Sequence, residues 1–336
     1  MEEYTLAVVE VKNLTKRYGK HTAVEGLSFS VESGQIYGFL GPNGAGKSTT
    51  MNIMTGYLAS SGGEVLINGH DMMREPEEAK KCIGYLPEVP PVYPDMTVRE
   101  YLQFAAELKG ILKKERKQQI AEVMELTKVT EVSERLIKNL SKGYRQRVGL
   151  AQAILGEPDV IILDEPMVGL DPRQIIEMRD LIRALGKKHT VILSSHILSE
   201  VSAVCDHIMI ISDGRLVASD SPEGLQRLIQ GSSSLEAVVK ATIQQIREVI
   251  DTIEAVAGME EKPSHMPDCV MVSIRTKDNA DIREELSMKL YERKLPIMGM
   301  SMQEHSLEDI FLELTERQEE DAKADNKEED KHDSDI

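Results

Sequence analysis

An α/β fold built on a covered parallel sheet, followed by a smaller α+β unit, is what this 336-residue chain predicts. Three observations carry that expectation. Short apolar runs, among them Val160-Ile161-Ile162-Leu163, Val191-Ile192-Leu193 and Ile208-Met209-Ile210-Ile211, alternate with helical stretches. Strands buried on both faces read this way, because connecting helices cover a parallel sheet. Gly41-Pro42-Asn43-Gly44-Ala45-Gly46-Lys47-Ser48 fits G-x-x-x-x-G-K-[ST] at every fixed position. Beyond Gln230-Gly231-Ser232-Ser233-Ser234, a flexible composition, the pattern restarts in the order βαββαβ.

Taken in order, residues 8–40 alternate apolar and polar in short bursts, such as Val8-Val9-Glu10-Val11 and Leu27-Ser28-Phe29-Ser30-Val31. These predict strands, with turns at Tyr18-Gly19-Lys20 and Ser33-Gly34. Gln35-Ile36-Tyr37-Gly38-Phe39-Leu40 is a strand leading into the glycine loop, and Thr49-Thr50-Met51-Asn52-Ile53-Met54 continues from it as a helix. Glu64-Val65-Leu66-Ile67-Asn68-Gly69 reads as another strand and turn. Residues 97–155 turn helical, with Tyr101, Phe104, Ala105 and Leu108 at helical spacing. The first domain is thus expected over 1–230 and the linker over 231–234. In the small ferredoxin-like domain, 235–315, strands fall at 235–241, 256–261, 269–275 and 298–303, with helices at 242–253 and 281–293. A short helix at 306–314 closes it.

The glycine loop has a specific chemistry. A turn between strand and helix aims successive backbone N–H groups at one point, and the helix adds its positive dipole end. Side chains would obstruct that approach, so glycine is needed. Lys47 would reach the β- and γ-phosphates of a nucleotide, and the Ser48 hydroxyl would sit on Mg2+. Downstream, the run 160–163 delivers Asp164 at the carboxyl end of a buried strand, where α/β folds place ligands. Asp164 would hold the metal through water, opposite Ser48, and Glu165 would face the attacking water as general base or water-orienting group.

Composition narrows the partners. The net charge is −17, and residues 316–336 hold ten Asp/Glu against four Lys/Arg. That tail is expected to be disordered. An acidic chain argues against nucleic acid and against direct attraction to anionic lipid. Cys82, Cys205 and Cys269 form no C-x-x-C, which suits a reducing compartment. Met1-Glu2-Glu3-Tyr4 does not read as a signal peptide, and no apolar run approaches a bilayer span. The chain reads as soluble, brought to any membrane by another polypeptide.

Leu140-Ser141-Lys142-Gly143-Tyr144-Arg145-Gln146-Arg147 opens a further helix and resembles the LSGGQ-type signature of ABC ATPases. With the loop and Asp164-Glu165, the resemblance covers about residues 5–230. It implies the ABC ATPase version of the P-loop NTPase fold, with an antiparallel β subdomain and a helical subdomain at about 97–155. It implies ATP and Mg2+ as ligands and a head-to-tail homodimer, or a pair with a second ABC ATPase, burying two ATP molecules. Tyr18 matches the aromatic that stacks on adenine, Thr49 extends the phosphate loop, and Gly169-Leu170-Asp171 matches the D-loop. His196 matches the switch histidine that senses the γ-phosphate. Ser141 and Gly143 would offer a hydroxyl and an N–H to the γ-phosphate held by the other subunit. The chain departs from the pattern at Lys142 (usually glycine), Tyr144 (usually glutamine) and Glu88, which stands where the Q-loop glutamine does. Glu88 can still approach Mg2+ and the attacking water. The segment 88–101, stiffened by Pro90, Pro91 and Pro94, is where the family docks its membrane partner.

Leu86-Pro87-Glu88 and Ser306-Leu307-Glu308-Asp309-Ile310-Phe311 look like bacterial exporter ATPases. The expected function is therefore ATP hydrolysis on the cytoplasmic face of the membrane, energising export through a separate transmembrane permease. The alternatives are a soluble ABC-type ATPase acting on ribosomes or nucleic acid, and a regulatory, non-transport ABC ATPase. One motif set, no heptad insertion and negative charge speak against the first. The presence of Lys47, Asp164, Glu165 and His196 speaks against a non-hydrolysing partner.

Overall fold

The computed structural model describes residues 7–229, 234–264, 266–277 and 280–303. The chain forms two compact units, Met1–Pro222 and Glu223–Ile336.

In the first unit β1 (Ala7–Tyr18) pairs antiparallel with β2 (His21–Glu32), as the alternation over residues 8–31 predicts. β3 (Ile36–Leu40) is buried at every position and feeds the glycine loop, which ends at α1 (Lys47–Met54). Next come β4 (Gly62–Ile67), β5 (His70–Asp71), α2 (Pro76–Lys81) and β6 (Ile83–Leu86). Four of these strands form an antiparallel sheet in the order β2-β1-β4-β5. The helical stretch contains α3 (Val98–Leu108), α4 (Lys113–Leu126) and α5 (Lys142–Ile154). α3 starts where Thr97 accepts the Glu100 N–H and the Glu100 carboxylate accepts the Thr97 N–H at 2.8 Å, satisfying two donors at the helix end.

β7 (Val160–Leu163), α6 (Pro172–Gly186), β8 (Thr190–Ser195), α7 (Leu198–Ser202), β9 (His207–Ser212) and β10 (Arg215–Asp220) complete the unit. They build a six-stranded sheet in the order β10-β9-β3-β8-β7-β6, parallel except for β10 against β9. β7 and β8 are buried at every position, which is why 160–163 is continuously apolar rather than alternating. β8 lies between β3 and β7, with Leu40 opposite Ser195 and Leu163 opposite Leu193. The loops leaving these three adjacent carboxyl ends therefore bring residues 41–48, Asp164 with Glu165, and His196 to one place.

α8 (Pro222–Ile229) begins at the boundary between the units. The second unit then runs β11 (Ser234–Val239), α9 (Ile243–Ile250), β12 (Val256–Lys262), β13 (Val270–Thr276), α10 (Arg283–Glu292) and β14 (Ile297–Gln303). This is the expected βαββαβ order, and the sheet, β12-β13-β11-β14, is antiparallel at every pairing. Ser234, read from sequence as the end of the linker, opens β11. Alternate residues Leu235, Ala237 and Val239 join Val272 and Ile274 under Ile246, Val249 and Ile250 of α9 and Leu286 and Leu290 of α10. The helix expected at 306–314, the acidic tail 316–336 and residues 230–233 lie outside the described residues.

Candidate nucleotide site

The phosphate loop is set by backbone geometry. Gly46 caps α1 in the left-handed conformation, φ 99°, and a Cβ there would lie 2.6 Å from the Ala23 carbonyl oxygen. Both facts demand glycine. At Gly41 a Cβ would meet the Ile211 carbonyl oxygen at 2.2 Å, so β9 closes against the start of the loop. Ala45 is buried, with its N–H donated to the Pro42 carbonyl at 3.2 Å, and its own carbonyl accepts the Gly214 N–H at 3.0 Å. The loop is held from outside before any ligand arrives.

Lys47 is 5 % exposed. Its ammonium donates to the carbonyls of Gly41 at 2.7 Å and Pro42 at 3.1 Å, and stands 3.7 Å from Glu165 Oε1. Burial pushes the Lys47 pKa below the ordinary lysine value, while the charges of Glu165 and Asp164 pull it back up. A phosphate entering the cleft would supply further compensating charge. The cleft holds about 320 Å³ between Asn43, Gly44, Lys47, Ser48 and Thr49 on one side and Glu88, Glu165 and His196 on the other.

The acidic end is a chain of short contacts. Ser48 Oγ donates to Asp164 Oδ1 at 3.1 Å, and the same oxygen accepts from Ser194 Oγ at 2.6 Å. Ser194 Oγ in turn accepts the Glu165 N–H at 2.8 Å. Glu165 has φ 48°, an uncommon conformation for a non-glycine residue, and its Oε2 lies 3.1 Å from His196 Nδ1. Asp164 and Glu165 are both buried.

These donors fit a magnesium ion that arrives with a nucleotide. Ser48 and Asp164 offer one hydroxyl and one carboxylate within hydrogen-bond contact of each other, and a Mg2+ held there would take its remaining ligands from phosphate and water. Among the described residues no group of three or more His, Cys, Asp or Glu could hold a metal by itself. Glu88 lines the same cleft and could offer a further carboxylate oxygen there.

The other expected residues fall elsewhere. Tyr18 ends β1, about half exposed, with Lys16 Nζ 5.1 Å from its ring centre. It does not line the phosphate cleft. Ser141 caps α5, accepting the Tyr144 N–H at 3.4 Å, and Asp171 caps α6, accepting the Gln174 N–H at 2.9 Å. The Gln174 amide lies over Gly143, 2.7 Å from where a Cβ would be, so Gly143 and Asp171 meet through it. Gly143 and Asp171 line a depression of about 580 Å³ that shares no lining residue with the phosphate cleft. The departures from the signature have local partners: Tyr144 donates to Glu131, and the Lys142 ammonium lies against Gly169.

A family model described as ABC transporter matches residues 24–168. The linearmycin resistance ATP-binding protein LnrL of Bacillus subtilis (strain 168) is 31% identical over 312 residues, spanning 92% of this chain and 99% of the relative. This chain belongs to the ABC transporter family, as an ATP-binding subunit. The bacitracin transport ATP-binding protein BcrA of Bacillus licheniformis is 34% identical over 315 residues, 91% of this chain and 97% of the relative. A solved ATP-binding subunit of an ABC transporter superposes with a TM-score of 0.61 at 31% identity, covering 66% of this chain and 92% of that one. The ABC ATPase fold expected from the signature is thereby established for this subunit.

Sequence reasoning missed Ser194 and Gln174. Ser194-Ser195 at the end of an apolar run was the available signal, since hydroxyls in a fully buried strand need partners. For Gln174 the signal was Asp171-Pro172-Arg173-Gln174, which fits a helix start with reciprocal capping.

Proposed function

We propose that this ABC subunit hydrolyses ATP with Mg2+ and energises export from the cytoplasmic face of the membrane, joined to a separate transmembrane permease. Two copies, or this chain and a second ABC ATPase, would close head to tail. The observation that carries the reading is the separation, within one chain, of the phosphate cleft from the depression beside Gly143. The cleft has Lys47 and the acidic pair but no helix start opposite them. The thirteen-residue helix α5 places its positive end at Ser141 and Gly143, beside the Gln174 amide, but has no phosphate loop. A second copy supplies each with the other.

In that arrangement Lys47 holds the β- and γ-phosphates, while Ser48 and Asp164, with Glu88 beside them, hold the metal. Bound Mg2+ would neutralise charge on the phosphate oxygens. Glu165 accepts the proton of the attacking water, and His196, oriented by Glu165, contacts the γ-phosphate. Tyr18 stacks on the adenine. Loss of the γ-phosphate removes the ligand shared by the two copies, so hydrolysis reopens them.

A groove of about 780 Å³ favours the permease as partner. It runs from Glu88 and Asp164 to Tyr57 and Val89, apolar side chains 84% and 77% exposed. Exposed apolar surface in continuity with a site is where a partner docks. No helix among the described residues is long and apolar enough to cross a membrane, and the proposal gives that role to the permease. Export as the direction draws on relatives named for linearmycin resistance and bacitracin transport. Affinity purification of the tagged chain from detergent-solubilised membranes should bring a multi-span membrane protein in stoichiometric amount. Recovery with ribosomes, with DNA-repair factors or alone would remove the transport claim.

A further inference from the structure

Ser194 stands between the two acidic residues on which hydrolysis is proposed to depend, and it is fully buried. It lies on β8, one residue beyond Leu193, the last residue that β8 pairs with β7. The backbone ladder between the strands stops there, and the serine hydroxyl continues it. Ser194 Oγ donates its proton to Asp164 Oδ1 at 2.6 Å and accepts the Glu165 N–H at 2.8 Å. One side chain thus fixes a carboxylate and the backbone of the next residue.

We propose that Ser194 is a positioning residue for the ATPase reaction, holding Glu165 in the conformation that aims its carboxylate into the cleft and holding Asp164 Oδ1 toward Ser48. The inference rests on the ATP-hydrolysing reading above. Glu165 is in the left-handed region, φ 48°, a conformation that persists only when its surroundings enforce it. The N–H of Glu165 has Ser194 Oγ as its acceptor, and its neighbour's N–H, that of Asp164, is already bound to the Leu86 carbonyl at 2.8 Å. Without the hydroxyl, a buried donor is left unsatisfied, a cost relieved by rotating the Glu165 peptide away. The side chain would move with it, leaving Lys47 at 3.7 Å and His196 at 3.1 Å. Asp164 would lose one of the two hydroxyls on Oδ1 while keeping the Ser48 contact that faces the metal. Ser194 touches neither nucleotide nor water in this scheme. Its effect is on rate, through Glu165, far more than on affinity, which resides in the loop.

Steady-state ATP hydrolysis and equilibrium ATP binding by the full chain test this with Ser194→Ala and Ser194→Thr. The alanine variant is expected to lose about 10- to 100-fold in kcat with KM and ATP affinity within about threefold, the size of effect that displacing a reacting group produces. The threonine variant keeps donor and acceptor and is expected to recover most of the rate. Ser194→Cys, similar in shape with a weak donor, takes the place of alanine if that variant does not fold, with the same split expected. Wild-type kcat in the alanine variant would overturn the inference. So would a fall in rate matched by the fall in affinity, or a folded threonine variant as slow as alanine. Absence of hydrolysis in the unmodified chain would instead remove the ATPase reading itself.

Discussion

The two units of this chain bury different things. At the loop ends of the first unit, Lys47, Asp164, Glu165 and Ser194 are all at most 8 % exposed. The core of the second unit is Leu, Ile, Val and Ala throughout, and its buried acid, Glu236, is paired with Lys262 at 2.6 Å. Buried ions cost desolvation energy that their mutual attraction recovers only in good geometry, and apolar replacements are often as stable. A fold that keeps a lysine and two carboxylates together, one of them a left-handed glutamate, is therefore organised for something other than its own stability. Among its described residues the second unit has no such cluster.

The largest effect should come from Glu165→Gln. If Glu165 takes the proton of the attacking water, the amide cannot, and turnover should fall about 100- to 1,000-fold while ATP binding persists. Single-turnover phosphate release, measured beside ATP affinity, checks this. Equal turnover in both proteins would dissolve the contrast between a chemical first unit and an inert second one.

How far the sequence carries depends on which physics is local. Residues 41–48 were legible because a phosphate loop needs glycine at fixed spacing, and Asp164 because an apolar run ending in acid is a strand leaving a core. The βαββαβ order of the second unit was legible from periodicity alone, and pairing β11 between β13 and β14 follows the common form of that order. Ser194 was not legible as a bridge. Its role arises from β8 lying beside β7, a sheet neighbour 30 residues away from Asp164 in sequence. Gln174 over Gly143 likewise needs α5 and α6 to be placed against one another. The separation of Gly143 from the phosphate cleft is a fact of tertiary structure that no spacing encodes.

A second effect, smaller and confined to the other unit, should follow from Leu286→Ala. Leu286 is fully buried in the core under α10. Removing it should destabilise that unit by about 2–5 kcal/mol, from lost burial and the cavity left behind. ATP affinity should be unchanged, since no residue of the second unit lines the phosphate cleft among those described. Urea unfolding followed together with nucleotide titration separates the two outcomes. A loss of affinity in parallel with stability would show that the units act as one.

Lys109 carries the test to a lysine of the first unit that is solvent-exposed as a residue and lies away from the phosphate loop. Its ammonium donates to the carbonyls of Ala153 at 2.8 Å and Leu155 at 2.7 Å, at the end of α5. Burial lowers its pKa to about 8, from 10.5. Because the folded value is depressed, the unfolded chain holds the proton more tightly, and the lysine costs stability wherever both states are charged. That cost is full below about pH 8 and shrinks as pH rises toward the unfolded value, by less than a fully buried ammonium would give because the residue is solvent-exposed. The stability of the native chain relative to Lys109→Met should therefore climb between about pH 8 and pH 10, with no slope below. Denaturant unfolding of both proteins across that range reads the difference directly. A climb with turnover unaffected by the substitution assigns Lys109 to the end of α5, a charge kept for the fold. A flat difference would mean the lysine is as well solvated as in the unfolded chain.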